Sequence, residues 1–237
     1  DWSYIAWKSD NPIALQVDNY YEGVMDLNDL VEECHNRGIY VIARMVMFKD
    51  NLVASTITDW AIKAPADEGG LYYDYEGLTW LDPYLPEVVE YEADLISEVL
   101  DFGFDEIQMD YLRFPSDGRA FSLIYSQESE YETRIAAIES FTSAIYDIVE
   151  PSRAFLSADV FGMTPWTDVD FDMGIGQRIE DIAPNVDYIS PMLYPTTFAS
   201  GSVGYTEPAL YPYEVVYYSM VEMEARTSTK VRPWLQH

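Results

Sequence analysis

One helix-and-strand unit stands out in residues 86–114, which read PEVVEYEADLISEVLDFGFDEIQMDYLRF. Apolar residues recur at a helical period from Val88 to Leu100, and Gly103 is the kind of residue that ends a helix. A segment of alternating polar and apolar residues follows, Gln108 and Asp110 alternating with Ile107 and Met109. The pattern predicts a helix over residues 86–102 and a strand over 106–114, which together form the repeating unit of a parallel α/β sheet.

The same unit recurs along the chain. Periodicity predicts further helices over residues 26–37, 131–149, 177–182 and 213–226, and strands over 39–48, 154–161, 186–193 and 230–236. Long aromatic and proline-rich segments follow four of the five strands. The carboxyl ends of parallel strands carry the active sites of barrels and of open sheets, so functional residues are expected there.

The chain is predicted to be an incomplete (β/α)8 TIM barrel. A complete barrel takes about 250 residues, whereas this chain has 237 residues and five predicted strands. The expectation is truncation at both ends, with about strands 3 to 7 present. Two strands would then precede residue 1 and one would follow residue 237. Because no linker or low-complexity tract interrupts the sequence, residues 1–237 are predicted to form a single domain.

Composition narrows the chemistry. The 42 acidic and 13 basic residues give a net charge of −29. This charge disfavours binding to nucleic acids and to anionic membranes. Cys34 is the single cysteine and histidine occurs twice, so neither a disulfide nor a histidine-based triad is expected. The longest apolar run, residues 40–48, is too short to span a membrane. No metal or cofactor is predicted, and the acidic segment 168–174 is interpreted as a solvated loop, because it lacks the closing glutamate of a calcium loop. Of the catalytic chemistries considered, only one based on Asp and Glu carboxylates is left.

Two aspartates are the catalytic candidates. Strand alternation sends Gln108 and Asp110 to the face opposite Ile107 and Met109, and Asp110 stands near a predicted strand end. Asp159 ends the next strand. Neighbouring strands lie about 4.8 Å apart, so the two carboxylates could approach the roughly 5 Å separation of a retaining glycosidase.

Structural roles for these acids stay open at this point. Asp110 could form an ion pair with Arg113 or Arg44, and Asp159 could cap the following loop.

The predicted substrate-binding residues lie on the same strands and the segments after them. Aromatic rings there would stack on sugar faces while polar groups bind hydroxyls, although most of the tryptophans (Trp60, Trp80 and Trp166 among them) are as compatible with a core position. Lys49 and Asp50 could equally form a solvated ion pair. The predicted set is Arg44, Lys49, Asp50, Gln108, Arg113, Tyr194, Trp234 and Gln236.

The run 103–118, GFDEIQMDYLRFPSDG, resembles the signature of the bacterial putative glycosyl hydrolase domain family. Segments 44–50, 174–177, 188–195 and 232–236 resemble that family in the same order. The resemblance implies a TIM barrel, glycan hydrolysis, and Asp110 as the position most like a catalytic acid, and it leaves the second catalytic residue open. It also implies barrel strands on both sides of this segment.

Two better-known barrel families fit less well. The chitinase-like pattern would need acids at Gln108 and Leu112, and the amylase-like pattern would need arginine at Gln108.

The sequence therefore predicts a glycoside hydrolase acting on a neutral or cationic glycan, with Asp110 as nucleophile and Asp159 as general acid/base. The predicted location is extracytoplasmic or cell-wall associated in a bacterium. An isomerase or lyase is less favoured because no lysine stands at a strand end to stabilise an enolate. The alternative to an enzyme is a non-catalytic TIM barrel that binds glycan at the cell surface.

Overall fold

The computed structural model describes residues 4–20, 26–65, 70–117 and 122–236. These residues contain six strands, all paired in parallel within one sheet. The strands are β1 (Ile42–Val46), β2 (Glu106–Asp110), β3 (Phe155–Phe161), β4 (Tyr188–Leu193), β5 (Lys230–Val231) and β6 (Trp234–Leu235).

The order of strands in the sheet follows the chain. The path is β1-β2-β3-β4-β5, and β6 continues alongside β4 beyond β5. A doubly wound sheet reverses its order at a switch point, whereas a barrel does not. The order is therefore that of a barrel segment, and the predicted parallel α/β sheet is confirmed.

Helices connect the strands and cover one face of the sheet. They are α1 (Pro12–Val17), α2 (Leu27–Asn36), α3 (Asn51–Thr56), α4 (Pro86–Asp101), α5 (Tyr131–Val149), α6 (Ile179–Ile182) and α7 (Pro212–Arg226). Ile107 and Met109 of β2 are fully buried in the main core together with α4 and α5 residues, as alternation predicts. The remaining β2 side chains point to the polar interior of the barrel.

All five predicted strands are shorter than expected, three of them by three residues or more. Tyr111 adopts φ +52°, a left-handed conformation that ends β2 at Asp110 instead of residue 114. Pro233 has no amide hydrogen, so the last predicted strand is divided into β5 and β6. Residues 39–41 were predicted to belong to the first strand but lie before β1. Their neighbouring strand, β2, begins only at Glu106, which pairs with Ile42.

Gly162 is required where β3 meets β4. A Cβ atom there would lie 2.3 Å from the Met192 carbonyl oxygen, and this backbone is held by the β3–β4 pairing. We expect Gly162→Ala to lower the free energy of unfolding by about 3 kcal/mol, measured by urea denaturation. Gly38→Ala is the control, since Gly38 has open space at φ +69° and should cost about 1 kcal/mol through backbone strain alone. Equal losses in the two variants would contradict the steric explanation.

Among the described residues, no helix has both the length and the apolar character needed to cross a membrane.

Candidate active site

Asp110 ends β2, and Asp159 lies beside it, two residues before the end of β3 and not at the strand end that the sequence predicts. The register pairs Met109 with Ala158, so the next residue of each strand is an aspartate. Both are buried, with 8% and 2% of their surface exposed. The structure thus brings the two predicted catalytic acids to one place.

Arg44 is the ionic partner of Asp110. Its guanidinium donates to Oδ2, and the Tyr111 amide donates to Oδ1 at 2.6 Å. Arg44 comes from β1, where it stands opposite Gln108 in the register. Because its side chain is 44% exposed, the ion pair lies at the opening of the barrel interior. The guanidinium stabilises negative charge on Asp110.

Asp159 has a different environment. Trp234 Nε1 and Gln108 Nε2 donate to its Oδ1 at 2.9 and 3.2 Å. Burial raises the pKa of Asp159 to about 8, and the negative charge of Asp110 acts in the same direction. The Trp234 hydrogen bond and the charge of Arg44 oppose the rise. The site therefore holds one carboxylate paired with an arginine and one carboxyl group whose pKa is raised by burial.

Tyr111 is strained next to the acids. A left-handed conformation is uncommon for a bulky aromatic residue and is concentrated at functional sites. Its ring makes an edge contact with Trp80 at 5.6 Å between centroids, and Lys49 Nζ lies 5.1 Å from its centroid. This conformation turns the chain away immediately after Asp110. No sequence signal indicated it.

Arg113 lies among aromatic rings instead of against an acid. Its guanidinium is 4.8 Å from the Trp80 ring centroid and 4.6 Å from that of Phe161, and it donates to the Phe114 carbonyl at 3.0 Å. Burial lowers the pKa of Arg113, while the nearby Tyr111 and acidic groups oppose that effect. Of the two ion-pair partners considered for Asp110, the structure places Arg44 in contact.

Lys49 and Asp50 follow β1 and are engaged in local structure. Lys49 Nζ contacts Asp74 at 2.9 Å and Glu76 at 2.6 Å. Asp50 caps α3, accepting hydrogen bonds from the Leu52 and Val53 amides at 3.0 Å each. Burial raises the pKa of Asp50 to about 7. Both residues are buried, so they do not form the solvated ion pair considered from the sequence.

Lys49→Met is expected to destabilise the protein by about 3 kcal/mol, because it leaves the Asp74 carboxylate buried without its cation. The Asp74 side chain is fully buried, whereas that of Glu76 is 56% exposed. Glu76→Gln is therefore the matched control, and its effect should be below about 1 kcal/mol. Urea denaturation of both variants measures the difference. An unchanged stability in Lys49→Met would contradict a structural role for the buried pair.

Trp234 contacts Asp159, Tyr194 lies near both acids, and Gln236 contacts the segment after β4. Burial raises the pKa of Tyr194, and the charges of Asp159 and Asp110 add to the rise. Trp234 is 37% exposed and bonds Asp159. Gln236 Oε1 accepts hydrogen bonds from Thr196, at 3.3 Å from its amide and 3.0 Å from its hydroxyl, so Gln236 fixes the segment after β4.

Gln177 is a site residue that the sequence interpretation missed. Its Nε2 donates to the carbonyl oxygens of Leu112 and Asp159 at 3.0 and 3.2 Å, and its Oε1 accepts from the Phe161 amide at 2.9 Å. The residue is 1% exposed and joins the chain after β2 to the end of β3. It lies in segment 174–177, where only the family resemblance could have pointed to it.

Other segments considered from the sequence have structural partners. Trp80 is 1% exposed and donates to Asp74 at 3.0 Å. Trp166 donates to Ser219 at 2.8 Å. In the acidic segment 168–174, the Asp172 carboxylate is held by Arg134 and by the amides of Gly174 and Gly176. Within the described ranges, His, Cys, Asp and Glu side chains form no group of three or more suited to a metal ion.

Solved structures share the architecture. The glycoside hydrolase domain of PgaB (BpsB) from Bordetella bronchiseptica matches with a TM-score of 0.58 and 10% identity, over 91% of this chain and 76% of that chain. A hypothetical protein from Ruminiclostridium thermocellum gives a TM-score of 0.51 and 28% identity, over 67% and 78%. The C-terminal domain of a putative chitinase from Desulfitobacterium hafniense gives 0.51 and 13%, over 90% and 51%.

These matches show the fold. The chain spans about half the length of the chitinase-domain structure, and the TIM-barrel class predicted from the sequence is confirmed. The number of barrel strands outside residues 1–237 stays a prediction. A search of curated proteins gave no match. A family model described as the putative glycosyl hydrolase domain matches residues 1–237, and the chain belongs to that family.

Proposed function

We propose that the protein hydrolyses a glycosidic bond in an oligosaccharide or polysaccharide, with Asp110 as nucleophile and Asp159 as general acid/base. The observation that carries the proposal is the pair of neighbouring carboxyl groups near the ends of β2 and β3, in opposite electrostatic environments. Arg44 accompanies one, and neutral N–H donors hold the other. Membership of a glycosyl hydrolase family supports the same reaction.

The reaction has two steps. In the first, the Asp159 carboxyl group gives its proton to the glycosidic oxygen while an Asp110 oxygen attacks the anomeric carbon, so the C–O bond breaks and a glycosyl ester forms. In the second, the Asp159 carboxylate takes a proton from water, which attacks the anomeric carbon and releases Asp110. Tyr194 and Trp234 would stack against the sugar beside the two acids. The net charge of −29 favours a neutral or cationic glycan.

A covalent trap tests the proposal. We would incubate the protein with a panel of 2-deoxy-2-fluoroglycosyl fluorides, which form slow-turnover esters with retaining nucleophiles, and map the label by peptide mass spectrometry. The expected result is one added glycosyl group on Asp110, and none in Asp110→Asn. A label on another carboxylate, or hydrolysis of a glycan with inversion of the anomeric centre, would overturn the role of Asp110.

A non-catalytic glycan-binding barrel is the second candidate. The Arg44–Asp110 ion pair favours it, because a carboxylate committed to an arginine could serve structure alone. Glycan binding by isothermal titration without any release of reducing ends would support this alternative.

Partner and location follow from the proposed reaction. A carbohydrate is the expected partner, and the strongly negative surface argues against nucleic acid. The proposed location is outside the cytoplasm or at the cell wall of a bacterium, where structural glycans are found. Cell fractionation followed by immunoblotting tests it.

A further inference from the structure

The two oxygens of the Asp159 carboxyl group have unequal surroundings. Oδ1 accepts hydrogen bonds from Trp234 Nε1 at 2.9 Å and from Gln108 Nε2 at 3.2 Å. Among the described residues, none donates to Oδ2. An indole nitrogen is a donor only, so the oxygen facing Trp234 must act as an acceptor in every protonation state that keeps this contact.

We propose that Trp234 is a positioning residue, which holds Asp159 Oδ1 as the carbonyl oxygen and thereby places the acidic proton on Oδ2. A protonated carboxyl oxygen is itself a donor and has less capacity to accept. With two N–H groups aimed at Oδ1, the proton is more stable on the other oxygen. The inference rests on the proposed function, because Oδ2 is then the atom that delivers the proton to the glycosidic oxygen.

The sheet explains how a distant residue reaches the acid. Trp234 stands opposite Met192 on β4, and Asp159 stands opposite Ser190 two residues earlier on β4. The indole must therefore cross β4 and reach toward the amino end of the strands. A small residue at position 190 leaves space for that path. Ser190 is fully buried and lies on the same face as Met192.

The hydrogen bond also affects the acidity of Asp159. Trp234 stabilises the carboxylate and opposes the effect of burial on the pKa. The charged and titratable groups around Asp159 come from neighbouring strands and the segments after them: Asp110, Arg44, Arg232 and Tyr194. Arg232 is itself paired with Glu106. Removing the indole N–H is expected to raise the Asp159 midpoint by about one pH unit.

Nuclear magnetic resonance tests the contact without using activity. The protein has six tryptophans, and ¹⁵N labelling resolves their indole N–H groups, with Trp234 assigned through Trp234→Phe. In the wild-type chain, we expect the Trp234 indole resonance to titrate with a midpoint of about 8, the pKa of Asp159. It should also stay downfield of its position in Asp159→Ala at both ends of the titration. Trp166, which donates to Ser219, is the internal control and should not respond in that range.

Two results would overturn the proposal. A Trp234 resonance that does not respond to Asp159 would exclude the contact. A resonance that reaches its Asp159→Ala position at low pH would place the proton on Oδ1. In Trp234→Phe, ¹³C titration of labelled aspartate should show the higher Asp159 midpoint, and an unchanged midpoint would contradict the acidity effect. The indole could titrate as expected while the covalent trap labels Asp110 with none of the sugars. The Trp234–Asp159 contact would then be supported and the proposed hydrolase function rejected.

Discussion

Asp110→Asn is expected to lower kcat for glycoside hydrolysis roughly a thousandfold or more, because an amide cannot form the glycosyl ester. Asparagine keeps the shape of the side chain and can still accept the Tyr111 amide hydrogen bond, made at 2.6 Å in the wild-type protein. The variant should therefore fold. The measurement is the rate of release of reducing ends from whichever of a set of neutral and cationic glycans the wild-type protein hydrolyses fastest, with thermal unfolding recorded in parallel.

Chemical rescue separates a nucleophile from a residue that only supports the site. In Asp110→Gly, azide can enter the space of the carboxylate, attack the anomeric carbon and give a glycosyl azide of inverted configuration. Recovery of activity with azide and an inverted product would support Asp110 as nucleophile. A retained azide product would assign Asp110 to the acid/base role instead, and an Asp110→Asn variant with wild-type kcat would exclude it from the chemistry. Arg44→Gln tests the ion pair separately and should weaken activity less than loss of the carboxylate does.

Asp159→Asn is expected to reduce kcat by a factor of about 10² to 10⁴ on substrates with poor leaving groups, the usual contribution of general acid catalysis. Wild-type activity should fall as pH rises through about 8, where the acid loses its proton, and this alkaline limb should disappear in the variant. For aryl glycosides whose leaving groups need no protonation, the rate of the first step should fall much less in Asp159→Asn. An equal loss on good and poor leaving groups would contradict the assigned role.

Stability measurements control for misfolding in Asp159→Asn. The pH dependence of the free energy of unfolding has a definite sign. Burial raises the pKa of Asp159 from 3.8 to about 8, so between these values the native state binds a proton that the unfolded state has lost. The contribution of Asp159 to stability therefore falls as pH rises through that window. Asparagine removes this pH dependence. The variant should match the wild type at the acidic end and gain relative stability toward the alkaline end, as measured by urea denaturation. A variant that is less stable at every pH would contradict this.

Local patterns in the sequence were sufficient to predict the sheet. The helix and strand of residues 86–110 follow from the change of hydrophobic period at Gly103, and the same change recurs in each later unit. Strand ends were less accurate. They depend on where a neighbouring strand begins and on single backbone conformations such as that of Tyr111, which neither composition nor periodicity encodes.

The site was predictable in part for the same reason. Asp110 and Asp159 could be paired because alternation and parallel register act over few residues. Side chains from distant segments could not be placed. Lys49 finds Asp74 within the long segment after β1, and Gln177 reaches two strand ends at once. These contacts depend on three-dimensional packing, which has no period in the chain.

The indole that orients Asp159 comes from a residue 75 positions later in the chain. During synthesis, β1 to β4 can pair and bury most of the core before residue 234 leaves the ribosome. A nascent chain at that stage would hold both carboxyl groups without the donor that directs the proton. Catalytic competence would then arrive later than compactness, because these strands could pack before the residue that directs the proton is available.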